Sequence, residues 1–138
     1  MKPPLDGVRV IDWTIMQQGP VASVMLGDLG AEVIKIEQRG VGDLGRGVRR
    51  IHGVAPPLLA GGRTYYFETM NRNKKSVAVD LKKEKGREVV YRLVRNADVF
   101  VQNFRQGVAA RLGMGYETLN SYNPRLVYAT ATGYGPVG

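Results

Sequence analysis

Two stretches of the chain match the spacing G-x-G-x-x-G, Gly40-Val41-Gly42-Asp43-Leu44-Gly45 and Gly133-Tyr134-Gly135-Pro136-Val137-Gly138. In a dinucleotide fold that spacing lets backbone N–H groups close on a pyrophosphate. It does so only where the glycines join the first strand directly to a helix and an acidic residue follows about 20 positions on. Neither match has that context: the first opens a long loop with no helical pattern behind it, and the second contains Pro136. Gln17-Gln18-Gly19-Pro20 carries more, because it lies between a β-branched run and a helical pattern. Unpaired N–H groups and the helix dipole there favour an anion or a polar ligand. The same four residues also suit an ordinary Gly-Pro turn, and both readings stand.

Other chemistry is narrowed by what the sequence lacks. The chain has no cysteine, which excludes disulfides, thiolate nucleophiles and Cys-based zinc sites. Its one histidine, His52, sits in a Gly/Pro-rich stretch away from any nucleophile-elbow pattern and is read as structural or solvent-exposed. No metal ligands are assigned. Asp12, Asp28, Asp43, Asp80 and Asp98 fall at strand ends, helix termini and turns, and the pattern makes a nucleophile of none of them.

The elements that would position these residues follow from periodicity. Val8 to Trp13 reads as a strand, residues from Gly19-Pro20 through Leu29 as a helix closed by Gly30, and Glu32 to Glu37 as the next strand. A helix between two strands favours a parallel pair, since a hairpin has no room for it. Gln38 to Arg63 is glycine-rich and reads as a long loop. Ser76 to Leu81 resumes as a strand, followed by a helix over Glu84 to Asn96 with Val89, Val90, Leu93 and Val94 on one face. Asp98 to Val101 and Leu126 to Ala131 are further strands, with helical turns at Val108 to Leu112 and Tyr116 to Tyr122. The alternation predicts the α/β class, a Rossmann-like open, mainly parallel sheet with flanking helices.

A length of 138 residues suits one domain, and 43% hydrophobic with 23% charged residues suits a packed core. No run approaches the roughly 20 apolar residues that span a bilayer. Met1 to Asp6 lacks the apolar core of a signal peptide, so a soluble, cytoplasmic protein is expected, with no membrane partner. The net charge of +8 is uneven: residues 71–138 hold 12 basic and 5 acidic side chains, against 8 and 7 in residues 1–70. That half suits an anionic partner, whether nucleic acid, membrane surface or a phosphorylated small molecule.

Ordered motifs then select among these. Pro4 to Asp12, Gly19-Pro20, Asp28-Leu29-Gly30-Ala31-Glu32-Val33-Ile34-Lys35-Ile36-Glu37 and Gly42-Asp43 resemble the start of a family III CoA-transferase. Asn71 to Ser76, Asp80-Leu81-Lys82, Gly86-Arg87, Ala97-Asp98-Val99, Gln102 to Gly107 and Asn123 to Tyr128 follow in that family's order, so the resemblance covers essentially the whole chain. The family includes formyl-CoA transferase, carnitine-related CoA-transferases and 2-methylacyl-CoA racemases. The resemblance implies a Rossmann-like large domain of which residues 1–138 form the N-terminal, CoA-binding part, truncated and without the second domain. It also implies an interlocked homodimer, and acyl-CoA and a carboxylic acid acceptor as substrates. No prosthetic group is implied.

Carried over by motif, Gln17 and Gln18 lie near the thioester end. Arg39 reaches a phosphate, and Val79, Asp80, Leu81 and Lys82 surround the adenine and its phosphates. Asn103, Phe104, Arg105 and Arg111 line the pantetheine and pyrophosphate path. Two of these keep an alternative: Lys82, with Lys83 and Lys85, also suits a solvated first helical turn, and Phe104 also suits the core. Three departures stand out: Gln38 separates Glu37 from Arg39, Gln102 replaces the usual Glu, and Gln106 replaces the usual Pro. Family transferases attack acyl-CoA with an aspartate carboxylate, which divides one difficult acyl transfer into easier steps. That Asp is expected beyond Gly138, so no catalytic residue is assigned and the isolated chain is expected to be inactive. The alternatives are a racemase-type relative and a basic nucleic-acid-binding module, the latter without the zinc-finger spacing or aromatic RNA-binding strand such modules carry.

Overall fold

The computed structural model describes residues 1–135. Five strands, β1 (Arg9–Trp13), β2 (Glu32–Gln38), β3 (Lys75–Val79), β4 (Val99–Gln102) and β5 (Val127–Thr130), form one sheet in the order β3-β2-β1-β4-β5. Every neighbouring pair is parallel, as in Val10 opposite Val33 and Val99, so the expected mainly parallel sheet is a wholly parallel one. The chain steps outward from β1 through β2 to β3, then returns to the other side of β1 for β4 and β5. That reversal makes β1 and β4 the topological switch point of the sheet, and open α/β sheets bind ligands beyond the carboxyl ends of such strands.

The helices are α1 (Gln18–Asp28), α2 (Tyr65–Asn71), α3 (Glu84–Val94), α4 (Val108–Arg111) and α5 (Tyr116–Tyr122). Val90 and Val94 of α3 are fully buried on the apolar stripe expected of them, and Tyr91 stacks on Tyr122 of α5 with ring centroids 4.3 Å apart. These helices cover one face of the sheet, in a core that joins Ile11, Ile34, Ile36 and Phe100 to Met114 and Leu119. The opposite face has a smaller apolar cluster, Val10, Ala31, Val33 and Val101, under α1. Gly30 follows α1 with φ of 103°, the left-handed position that a glycine occupies most cheaply after a helix.

Two elements differ from the sequence expectation. Helix α2 lies where no element was assigned, because Tyr65-Tyr66-Phe67 is a poor helix former by propensity. Local chemistry forms it: Thr64 Oγ1 accepts from the Phe67 N–H at 3.3 Å, and Asn71 Nδ2 donates to the Phe67 carbonyl at 3.0 Å. The Gln38–Arg63 segment is also not bare loop. It contains two 3-10 turns, Leu44–Gly47 and Ala60–Gly62, and a small hairpin in which Ile51 and Val54 exchange backbone hydrogen bonds around His52 and Gly53. His52 is exposed at that tip. No helix among the described residues is long and apolar enough to cross a membrane.

Helix α3 meets the end of β3 closely. A Cβ placed on Gly86 would fall well inside contact distance of the Asp80 carbonyl oxygen, a backbone atom that cannot swing away. The substitution Gly86→Ala is therefore expected to destabilise the fold by about 1–3 kcal/mol, as overpacking generally does, despite the better helix propensity of alanine. Urea denaturation of the two proteins checks this, and an unchanged or raised midpoint would contradict the close approach.

Candidate functional site

Parallel strands buried on both faces are normally apolar throughout, yet the α1 side of this sheet changes character along its length. At the amino ends it presents Val10 and Val33; two residues on, it presents Asp12 and Lys35, with side chains 0% and 1% exposed. A buried ion is costly unless it is paired and hydrogen-bonded. Here each one is. Lys35 Nζ lies 2.8 Å from Asp43 Oδ2 and 3.9 Å from Asp12 Oδ2, and it donates to the Thr14 carbonyl at 2.8 Å. The contact with Asp43 Oδ2 is an ion pair without hydrogen-bond geometry.

Lys74, just before β3, completes the cluster. Its ammonium shares three N–H bonds among four acceptors, Asp12 Oδ2 at 2.8 Å, the Pro20 carbonyl and Ser23 Oγ at 2.9 Å, and Asn71 Oδ1 at 3.0 Å. Burial draws the Lys74 ammonium below its ordinary pKa, opposed by the charge and hydrogen bond of Asp12. Asp12 also accepts from Ser23 Oγ at 2.7 Å and from both the N–H and the hydroxyl of Thr14. Two lysines thus face two aspartates, and α1, β1, β2 and the α2–β3 connection are joined through them. Gly19 lets α1 approach so closely, since a Cβ there would overlap the Thr14 side chain.

Glu37, the last inward-facing residue of β2, forms a second paired group. Arg46 binds it through two nitrogens at 2.7 Å, Ser76 Oγ donates at 2.7 Å, and the Asp43 N–H donates at 2.9 Å. The Arg46 guanidinium lies 3.8 Å above the Phe67 ring. Burial pushes the Glu37 carboxyl up, but these hydrogen bonds outweigh it and hold the pKa at about 2.

Beside these groups, at the carboxyl ends of β1, β2 and β3, lies a cavity of about 660 Å³. Its apolar wall includes Trp13, Ile36, Val79, Leu81 and Phe104; Thr14, Asp43 and Asp80 line it too, together with the cations Arg39 and Lys82. Phe104 packs on Trp13 with ring centroids 4.2 Å apart, so it serves both the core and the cavity wall. The volume lies within the range of small-molecule sites, and the mixture suits a ligand with a flat apolar part and an anionic part. Among the described residues no group of His, Cys, Asp or Glu side chains is arranged to hold a metal ion.

Of the residues singled out in the sequence, Arg39, Val79, Asp80, Leu81, Lys82 and Phe104 come together here. Gln17 and Gln18 lie instead with Val21 in a shallow open depression at the start of α1. Arg105 and Arg111 are exposed and do not line the cavity. Asn103 does not line it either: its amide donates to the Ile15 carbonyl and accepts from the Ile15 N–H, both at 2.9 Å. The stretch Gly40 to Gly45 follows the second strand rather than the first; Gly40 and Gly42 line the cavity, and a 3-10 turn follows. Of the Gly133 to Gly138 stretch, the last three residues lie outside the described ones. Sequence reasoning missed Lys35 and Lys74. The available signal was Lys35 and Glu37 alternating with Val33, Ile34 and Ile36 in a strand flanked by helices, where a charge needs an internal partner.

The CoA-transferase family III profile matches residues 5–138. The human succinyl-CoA:glutarate CoA-transferase is 44% identical over 135 residues, 98% of this chain and 29% of that protein. The formyl-CoA:oxalate CoA-transferase of Rhodopseudomonas palustris is 41% identical over 132 residues, 96% of this chain and 29% of that protein. Among solved structures, a Mycobacterium tuberculosis protein in an orthorhombic crystal form superposes with a TM-score of 0.87 at 44% identity, covering 99% of this chain and 36% of that one. A CAIB/BAIF family protein from Brucella suis superposes with a TM-score of 0.86 at 37% identity, covering 100% of this chain and 35% of that one. The chain thus spans about 29% of the length of the curated relatives it matches first.

The paired state of Glu37 sets an expectation for acid. Its pKa in the fold is lowered from 4.5 to about 2, so its contribution to stability is complete above the unfolded value and is lost as pH falls through that interval. Urea midpoints measured across that range are expected to fall more steeply in the parent protein than in Glu37→Gln, which is the less stable of the two at neutral pH. Parallel profiles would show that Glu37 is not held as its contacts indicate.

Proposed function

The chain belongs to CoA-transferase family III, and from that premise we propose that residues 1–138 are the N-terminal CoA-binding portion of an enzyme that moves CoA between carboxylic acids. The observation that carries this reading is the cavity at the carboxyl ends of β1 to β3, which joins an apolar wall to Arg39 and Lys82. Adenine lies against Val79 and Leu81, and its phosphates meet Lys82 and Arg39. The pantetheine arm runs past Phe104 towards the loop that carries Gln17 and Gln18. Arg105 and Arg111, exposed beyond the cavity, remain within reach of an extended ligand only along its outer course. The acceptor is a carboxylic acid, in line with relatives named for oxalate and glutarate.

The acyl-transfer nucleophile in this reading is an aspartate outside these 138 residues. The acids beside the cavity are already engaged: Asp12 and Asp43 by buried lysines, Glu37 by Arg46, and Asp80 by the Lys82 N–H at 3.0 Å. A carboxylate held in this way is a poor nucleophile, because attack removes the charge that its partners stabilise. Pairing of two chains belongs to the same reading, supported by the uncovered apolar side chains Met25 on α1 and Val127 on β5.

Calorimetric titration with acetyl-CoA at low salt tests the binding. Lys82→Ala and Arg39→Ala are each expected to weaken it by about tenfold or more, the scale of one hydrogen bond to an ionised group. Each is also expected to flatten the salt dependence, because phosphate contacts at an open rim are screened. No heat with the parent protein up to millimolar ligand would remove the proposal for this chain. Size-exclusion chromatography at high protein concentration is expected to give a dimer or larger species, and a clean monomer would count against pairing.

A further inference from the structure

The backbone from Thr14 to Gln17 leaves β1, crosses the rim of the cavity and enters α1, and none of its N–H groups before Gln17 is bound within a strand or helix. Two side chains hold it, one from each side. Just after β4, Asn103 closes a two-way amide pair with Ile15: Oδ1 accepts from the Ile15 N–H and Nδ2 donates to the Ile15 carbonyl, both at 2.9 Å. From the β2 side, Asp43 Oδ1 accepts from the Met16 N–H at 3.2 Å and from the Gly45 N–H at 2.7 Å. Behind Asp43, Lys35 bridges its other oxygen to the Thr14 carbonyl at 2.8 Å on each side. Met16 has φ of 65°, a left-handed backbone that a side-chain-bearing residue adopts only where its surroundings enforce it. The next two residues are Gln17 and Gln18.

We propose that Asn103 and Asp43 are positioning residues that clamp the Thr14–Met16 backbone from opposite sides and so fix Gln17 and Gln18 at the thioester end of the ligand. This rests on the reading of the cavity as a CoA site, and it changes the role of Asn103. Its amide pairs with Ile15 in both directions and it does not line the cavity, so it shapes the ligand path through the loop. Asp43 acts the same way from a buried position, which explains why a carboxylate lining a site for an anionic ligand does not repel it: its charge is matched by Lys35. The asymmetry of the site follows. The nucleotide end is set by Lys82 and Arg39 on the β2 and β3 side, and the thioester end by a loop that depends on two side chains distant in sequence.

The clamp can be read without ligand. The Ile15 and Met16 amide hydrogens are each bonded to a side chain alone, so their exchange rates report the clamp, while Val10 and Val33 report the sheet. In the full 138-residue chain, Asn103→Ala is expected to speed exchange at Ile15 and Met16 by about tenfold or more, the loss of a half-buried two-way hydrogen-bonded pair, with Val10 and Val33 unchanged. Asn103→Asp, which keeps an acceptor for the Ile15 N–H but sets an oxygen against its carbonyl, is expected to speed it as well. Unchanged protection at Ile15 and Met16, or equal loss at Val10 and Val33, would overturn a local clamp.

Binding then tests the consequence, with adenosine 3′,5′-bisphosphate as the nucleotide end alone and acetyl-CoA as the whole ligand. Asn103→Ala is expected to leave the first affinity within about twofold and to cut the advantage of acetyl-CoA over it by about tenfold. An undiminished advantage, or an equal loss for both probes, would overturn the positioning role. If neither probe binds the parent protein, the reading of the cavity fails while the exchange result still decides the clamp.

Discussion

Two lysine ammonium groups buried between two aspartates are the constraint on which the rest of this structure turns. Lys35 lies against Asp43 and Lys74 against Asp12, so each buried charge has an opposite charge beside it. Removing one member of such a group typically costs about 3–5 kcal/mol, because the remaining charge stays buried and unmatched. The four side chains come from β1, from β2, from the loop after β2 and from the connection before β3. Their mutual dependence therefore fixes where three strand ends and the start of α1 lie relative to one another. An apolar contact tolerates sliding; an ion set with this many directed hydrogen bonds does not.

This divides the sheet into two kinds of surface. The face under α3 and α5 is a continuous apolar core, from Ile11 and Phe100 to Met114 and Leu119, and supplies the bulk of the hydrophobic burial. The face under α1 is apolar only towards the amino ends of the strands, and becomes an ion and hydrogen-bond network towards the carboxyl ends. The cavity opens at that end. Its rim is thus made of loops held by directed bonds, over an apolar wall of Trp13, Ile36 and Val79 that belongs to the packed core. Asp43 shows the economy of the arrangement: it caps the Leu44–Gly47 turn, balances Lys35 and holds Met16, while its own N–H is held by Glu37.

The alternation of strands and helices was legible in the sequence because β-branched runs, Gly30 after α1 and the valine stripe of α3 are local signals. The cavity lining was partly legible: Asp80-Leu81-Lys82 after β3, Arg39 and Phe104, all singled out in the sequence, come together there. Helix α2 was not legible, since a Thr64 cap and packing override the weak propensity of three aromatic residues in succession. Nor was the ion cluster, for a different reason. Lys35 and Lys74 stand 39 residues apart in sequence and Asp12 and Asp43 31 apart, so no window joins them until the sheet is assembled. Asn103 was expected to line the ligand path, and its pairing with the Ile15 backbone was not legible, because the sequence does not say whether an amide faces a ligand or a backbone.

The basic character of residues 71–138 takes on a different meaning once the contacts are known. Lys74 is buried against Asp12, Lys75 reaches Glu32, Arg72 pairs with Asp28, and Arg87 donates to the Leu81 and Lys82 carbonyls. Each of these cations is engaged by the fold itself, and three of their partners lie in the half that looked neutral. Conversely Arg39, from that neutral half, is one of the two cations at the cavity. Charge counted along a chain describes segments, but a parallel sheet interleaves segments, so β2 and β3 supply one rim from both halves. The field at the cavity is therefore set by which cations lack an internal acid, and it favours an anionic group between Arg39 and Lys82 over a diffuse polyanion spread across the surface.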